Sequence, residues 1–206
     1  MLDKELLIFD FDGVICDSVN IKTHAFIELY KNYGSKIQEQ VREYHLLNSG
    51  ISRFEKFKYF QSVLLEQEFT EKDINNLAKK FSKLVKEKVI NSPYINGALE
   101  FLTKNSSKRQ FICTGTPQHE IIEIAEKKGI INLFENLYGS PKSKIEIIHD
   151  ILMQTNVEKN NCVFFGDAMT DYNASFKCNI PFVGIRNSET TFPKGTMIIE
   201  NFNEII

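Results

Sequence analysis

Two runs of apolar residues that each end in an acid constrain this chain more than any other feature. Leu6-Leu7-Ile8-Phe9 runs into Asp10-Phe11-Asp12-Gly13, and Cys162-Val163-Phe164-Phe165 runs into Gly166-Asp167, with Asp171 four residues on. An unbroken apolar run of this length reads as a strand buried on both faces, as in a parallel sheet covered by helices. Open α/β sheets bind ligands at the carboxyl ends of their strands, and the acids fall there, with Asp10 expected to face solvent. Carboxylates so close repel one another and require a cation or a shared proton. A hard divalent ion such as Mg²⁺, which prefers oxygen ligands, meets that need. An Asp after a strand is also an ordinary turn residue, but two strands ending in paired acids are hard to explain by folding alone. Helical spacing places Asp167 and Asp171 on one face at the start of a helix over 170–176.

The remaining sequence arranges itself around these strands. Residues 1–15 and 92–206 are expected to form the core, and 16–91 an all-helical insertion. Within the insertion, Ile74, Leu77, Ala78, Phe81, Leu84 and Val85 recur at helical spacing and predict an amphipathic helix over 71–89. Phe57, Phe60 and Leu64 suggest a second helix and residues 24–30 a third. Aromatic stripes of this kind are more often core than binding site. After Ser92-Pro93, helices are expected at 97–104, 117–128 and 143–153, alternating with strands at 110–114, 136–138, 162–166, 181–185 and 197–199. Pro117 suits a first helical turn and Gly129 a helix end. Such alternation argues for an α/β fold, a Rossmann-like, mostly parallel sheet flanked by helices.

Composition narrows the class. With 25 Lys and Arg against 27 Asp and Glu, a net charge of −2 over 206 residues gives no general affinity for nucleic acid. Asp3, Lys4 and Glu5 precede only a short apolar run, unlike a signal peptide, and no segment approaches the ~18 apolar residues of a membrane helix. The four cysteines, Cys16, Cys113, Cys162 and Cys178, show no CxxC spacing. Cys113 and Cys162 fall inside expected buried strands, which suits reduced thiols in a cytoplasm. A cytoplasmic monomer or weak dimer without a membrane partner is expected.

Two further segments bear on chemistry. Thr114-Gly115-Thr116 offers a hydroxyl and backbone N–H groups that would cradle a phosphate at a helix N-terminus. Lys142 and Lys144 lie at the start of the next expected helix, the wrong end for a cation, so a lysine there answers a nearby anion.

Taken in order, Asp10-Phe11-Asp12-Gly13-Val14-Ile15, Thr114-Gly115-Thr116-Pro117, the lysine of Gly139-Ser140-Pro141-Lys142-Ser143-Lys144, and Gly166-Asp167-Ala168-Met169-Thr170-Asp171 resemble the four motifs of the haloacid dehalogenase superfamily. Within it the chain is similar to the phosphoglycolate phosphatase and β-phosphoglucomutase group, whose helical cap follows the first motif. The resemblance implies a Mg²⁺-dependent phosphatase acting on a small phosphorylated metabolite through an aspartyl-phosphate. It makes Asp10 the nucleophile and Asp12 the general acid and base. The Asp12 carbonyl, with Asp10 and Asp167, would hold the metal, and Asp171 would orient its waters. Thr114 and the Gly115 N–H would bind phosphoryl oxygens. Lys144 is the favoured motif lysine and Lys142 the alternative.

Gly50-Ile51-Ser52-Arg53 is similar to the stretch with which β-phosphoglucomutases meet the distal part of their substrate, which would make Arg53 a contact for a second anionic group. Lys22 and His24 stand where the mutase carries a cap histidine, a departure that favours hydrolysis over phosphomutase activity. A catalytically silent interaction module is disfavoured because every required residue type is present. Dehalogenation is disfavoured because that branch has less use for Asp12 and the acidic pair. The cap is expected to gate the site, hinging near 15–18 and 90–93.

Overall fold

The computed structural model describes residues 3–206. Leu6–Phe9 forms a strand (β1) whose four side chains are wholly buried. Arg109–Pro117 (β2) and Asn136–Ser140 (β3) extend the sheet on one side of β1. Cys162–Gly166 (β4), Phe182–Ile185 (β5) and Met197–Ile199 (β6) extend it on the other. The six strands run in the order β3-β2-β1-β4-β5-β6 and every pair is parallel. Chain progression reverses at β1, which opens a crevice beyond its carboxyl end, the usual ligand position in such sheets.

Between β1 and β2 come four helices, Val19–Leu29 (α1), Ser35–Leu47 (α2), Arg53–Tyr59 (α3) and Glu71–Ile90 (α4), followed by Ala98–Lys104 (α5). Gln118–Lys127 (α6), Lys144–Thr155 (α7) and Met169–Cys178 (α8) alternate with the later strands. Leu6 and Ile8 face Ile147, Ile148 and Ile151 of α7 and Ala174 and Cys178 of α8. Leu7 and Phe9 face the opposite layer, where Phe9 stacks on Phe165 at 5.0 Å and meets Phe101 edge-on at 6.2 Å. Truncating a Phe packed this way to Ala costs about 3–5 kcal/mol, so the strand carrying Asp10 is firmly held.

The helical segment has its own aromatic centre, Phe26, Phe57, Phe60 and Phe81, continuous with the layer around Phe9. Its connections to the sheet are tied down. Cys16 forms an antiparallel bridge with Tyr94, and Lys128 Nζ donates to the carbonyls of Ile90 and Ser92 at 2.9 and 2.8 Å. All four cysteines are buried and unpaired, and among the described residues no helix is long and apolar enough to cross a membrane.

Several local expectations need correction. α2 was not foreseen, because only Val41 and His45 on it are fully buried and its apolar stripe is thin. The helix of Phe57 and Phe60 is α only to Tyr59 and widens into a π turn over Phe60–Leu64. β2 continues through Thr114, Gly115 and Thr116, so Pro117 stands before α6 rather than within its first turn. The Thr114–Thr116 stretch is therefore extended chain, not a helix N-terminus. Likewise α8 begins at Met169, leaving Asp167 outside it and not on a shared helix face with Asp171.

Candidate active site

Asp10 follows β1 directly but is only 3% exposed, because the helical segment roofs the strand end that was expected to meet solvent. Its Oδ1 accepts the Phe11 N–H at 2.7 Å. Gly13 turns the chain at φ +78°, and a Cβ there would collide with the Asp167 carboxylate, so a side chain is excluded on both counts.

Asp167 ends the β4 segment and Asp171 occupies the third position of α8, where its carboxylate accepts the Ala168 N–H at 3.1 Å. One carboxylate oxygen from each of Asp10, Asp167 and Asp171 lies within 4.8 Å of the others. Asn187 steadies the group by donating from Nδ2 to the Asp167 carbonyl at 2.7 Å and to its Oδ2 at 3.3 Å. Burial, then the neighbouring Asp171 and Asp10, push Asp167 well above the usual carboxylate range. Burial raises Asp171 to about 7, against the opposing pull of Lys144.

Lys144 is the counter-charge. Ser143 caps α7 in a reciprocal box with Glu146, which makes Lys144 the first helical residue and directs it back to the strand ends. Its Nζ lies 2.8 Å from Asp10 Oδ2 and also donates to Asp171 Oδ1. Burial disfavours its charge, but Asp10 and Asp171 prevail and raise its pKa. Lys142 goes elsewhere: its side chain is 57% exposed and bonded to Asp150 at 2.5 Å. The structure therefore brings Lys144, and not Lys142, to Asp10. Three buried carboxylates facing one ammonium form an all-oxygen donor set with surplus negative charge, which fits a Mg²⁺ ion.

Asp12 turns its carboxylate away from this cluster. It accepts from Ser18 Oγ at 2.5 Å and Thr116 Oγ1 at 3.2 Å and forms an ion pair with Lys22, whose Nζ also donates to Thr116 at 2.7 Å. Burial would raise Asp12, but the Lys22 charge and these three donors outweigh it and hold the carboxyl below its ordinary range. Any hold of Asp12 on a cation would thus fall to its backbone carbonyl.

Thr114 is 1% exposed, and its Oγ1 accepts the Thr116 N–H at 3.3 Å, leaving its own proton free to donate. Gly115 must be glycine because a Cβ there would stand 2.6 Å from the Gly50 carbonyl. The α2–α3 loop rests on this point and is pinned further by Thr170 donating to the Ser49 carbonyl. Floor and roof enclose a cavity of about 50 Å³, lined by Asp10, Asp12, Thr114, Gly115, Thr116 and Asp167 below and by Lys22, Phe26, His45, Arg53, Lys56 and Phe81 above.

Arg53 does reach this cavity, and part of its fork is engaged. It meets Glu120 of α6 twice, at 2.9 and 2.8 Å, with both side chains 4% exposed, and it also donates to Ser82 at 2.8 Å. Arg53 therefore faces the cleft as expected, with Glu120 as its partner across the roof. Sequence reasoning gave no part to His45, Lys56, Glu120 or Asn187 and noted Lys22 only as a departure. Lys56 carried a usable signal, since it follows Arg53 by three residues and so shares its helix face.

Comparison with known proteins agrees with this geometry. The family sequence model described as haloacid dehalogenase-like hydrolase matches residues 7–185. A phosphoglycolate phosphatase of Colwellia psychrerythraea is 29% identical over 193 residues, covering 89% of this chain and 84% of its own. A phosphorylated carbohydrates phosphatase of Thermotoga maritima is 26% identical over 187 residues, covering 85% and 82%. The crystal structure of β-phosphoglucomutase from Clostridium difficile superposes with a TM-score of 0.81 at 22% identity, covering 98% of this chain and 93% of that one, a likeness of fold alone.

Proposed function

The chain belongs to the haloacid dehalogenase-like hydrolase family, and from that premise we propose that it is a Mg²⁺-dependent phosphatase that hydrolyses a small phosphorylated metabolite, a sugar phosphate or phosphoglycolate-like ester. The observation that carries this reading is the buried group of Asp10, Asp167 and Asp171 with Lys144 bonded to Asp10 at the floor of the cavity. The two phosphatases to which the chain is similar support the same class.

In this reading an Asp10 carboxylate oxygen attacks phosphorus in line and the ester oxygen departs, leaving an aspartyl-phosphate. Lys144, 2.8 Å from Asp10 Oδ2, fixes that carboxylate for the attack. Thr114 Oγ1 and the Gly115 N–H donate to the transferring phosphoryl oxygens. Asp12 gives a proton to the leaving oxygen and takes one from the water that then cleaves the acyl-phosphate. The held carboxylate suits the second step; an arriving phosphate dianion raises its proton affinity for the first. Asp10, Asp167 and the Asp12 carbonyl would hold Mg²⁺, with Asp171 beside them, and the ion would neutralise charge between phosphate and carboxylates. A counter-charge at ~4 Å contributes about 4 kcal/mol at an effective dielectric of 20, so an ion and Lys144 are both required.

A cavity of about 50 Å³ holds only a few waters. The helical roof therefore lifts to admit substrate and closes to exclude bulk water. The test is a panel of phosphate esters with Mg²⁺. Stoichiometric release of inorganic phosphate, abolished by chelation, is expected. Folded protein that releases none from any ester overturns the reading, and isomerisation of a hexose phosphate that depends on a bisphosphate primer replaces it with a mutase.

A further inference from the structure

The cations around the cavity are matched with acids, except one. Lys22 has Asp12, Arg53 has Glu120, and Lys144 has Asp10 and Asp171. Lys56 on α3 is 2% exposed, and among the described residues no carboxylate pairs with it. Its Nζ lies 2.6 Å from His45 Nδ1 and 3.3 Å from the His45 carbonyl, with the Phe26 ring centre 5.5 Å away. His45 on α2 is itself 5% exposed, and its Nε2 has no partner. With Lys56 donating to Nδ1, the imidazole carries its proton on Nε2, so a second buried donor stands unused. Both residues line the same cavity as Asp10 and Thr114.

We propose that Lys56 and His45 form a second anion-binding subsite that recognises an acidic group of the substrate, a carboxylate or a second phosphate, remote from the ester being cleaved. This rests on the phosphatase reading above and adds to it the substrate class. An unpaired amine and an orphaned N–H in a dry interior are unfavourable on their own. Hydrocarbon would fill the space more stably if packing were their only purpose. The arrangement differs from the arginine subsite implied by resemblance, because here the Arg53 fork already belongs to Glu120.

The electrostatics give the subsite a further property. Burial, then Lys22, pull the Lys56 pKa well below its ordinary value, with Lys144 and Arg53 adding to the effect and Asp12 opposing it. Burial, then Lys56 and Lys22, lower His45 likewise. The other groups beside the pair in the lining are the uncharged rings Phe26 of α1 and Phe81 of α4, while Glu120 of α6 and Ser82 of α4 are engaged by Arg53. The empty pair holds its proton weakly, and an anion beside it draws one from the buffer onto the Lys56 amine.

Steady-state kinetics of wild type and Lys56→Met with 2-phosphoglycolate, ethane-1,2-diol bisphosphate and ethyl phosphate test this. In wild type, at least one doubly anionic ester is expected to exceed ethyl phosphate in kcat/KM by tenfold or more, and which one does so identifies the group as carboxylate or phosphate. In Lys56→Met that ratio is expected to fall at least tenfold, through KM. A wild-type ratio near one, or a ratio moved less than twofold by the substitution, overturns the subsite. Should Lys56→Met melt without a cooperative transition, His45→Gln is expected to lower the same ratio at least fivefold, and an unchanged ratio there overturns it equally. Calorimetric titration of Asp10→Asn protein with 2-phosphoglycolate and with ethane-1,2-diol bisphosphate, in two buffers of different protonation enthalpy, should show with at least one of them a proton uptake that Lys56→Met abolishes. Uptake with neither overturns the subsite. If wild type turns over no ester, ethyl phosphate included, the phosphatase reading fails separately, and the titration still decides the subsite.

Discussion

The floor and the roof of the cavity are built on opposite principles. The floor is made of strand ends, where Asp10, Asp167 and Asp171 crowd together with a single ammonium, Lys144, among them. The roof comes from helices α1 to α4 and presents Lys22, Arg53 and Lys56 with His45. Negative surplus below suits a metal and a reacting carboxylate. Positive surplus above suits whatever acidic parts of a substrate remain once its phosphoryl group is engaged. In the proposed reading chemistry and choice of substrate occupy different layers, joined through Asp12, which belongs to the floor but is held by Lys22 from the roof.

The comparison breaks first at Asp10. Asp10→Asn is expected to lower kcat by about 10⁴-fold or more, by analogy with loss of other nucleophiles, measured as phosphate release; residual activity within tenfold of wild type would move the chemistry elsewhere. Next comes the link between layers. Lys22→Met is expected to lower kcat by about 10- to 100-fold and to move the acidic limb of the pH profile to higher pH. The sign follows because removing Lys22 deletes a charge that holds Asp12 low.

A third test needs no substrate. Asp167 and Asp171 bind protons more tightly folded than unfolded, Asp171 up to about 7, so their contribution is fully present below ~4 and is lost as pH rises through the folded values. Metal-free protein is therefore expected to melt about 5 °C or more lower at pH 8 than at pH 5.5, with Mg²⁺ raising Tm most at pH 8. A Tm insensitive to both would show the floor to be balanced without an ion. Smallest of all, Lys142→Ala lies outside both layers, bonded to Asp150 on the surface, and is expected to change kcat/KM less than twofold.

The same division explains what could be read before the structure. β1 and β4 announce themselves because each puts its apolar run and its acid in one contiguous stretch, and the parallel sheet follows from their alternation with helices. Lys144 was favoured from the sequence for standing at the head of an apolar helical stripe, and the structure supplies the local reason, the Ser143 cap that makes it the first residue of α7. The roof resisted reading because its groups converge from separate helices. His45 sits on α2, whose thin stripe gave no helix signal, and Lys56 becomes distinctive only beside it. Arg53 reaches the cavity as its motif suggested, but its partner Glu120, 67 residues away, could not be read from the sequence. Pro117 misled for a local reason: β2 stays extended until the proline, so a residue suited to a first turn stands just before it.

The Arg53–Glu120 contact ties α3 to α6, and in the proposed opening of the roof it is an ion pair that must part. As the two helices separate, water hydrates each partner and offsets much of the lost attraction. Dissolved salt shields the stray ions and eases the parting further. If the roof opens as proposed, ionic strength is therefore expected to tune how readily substrate enters.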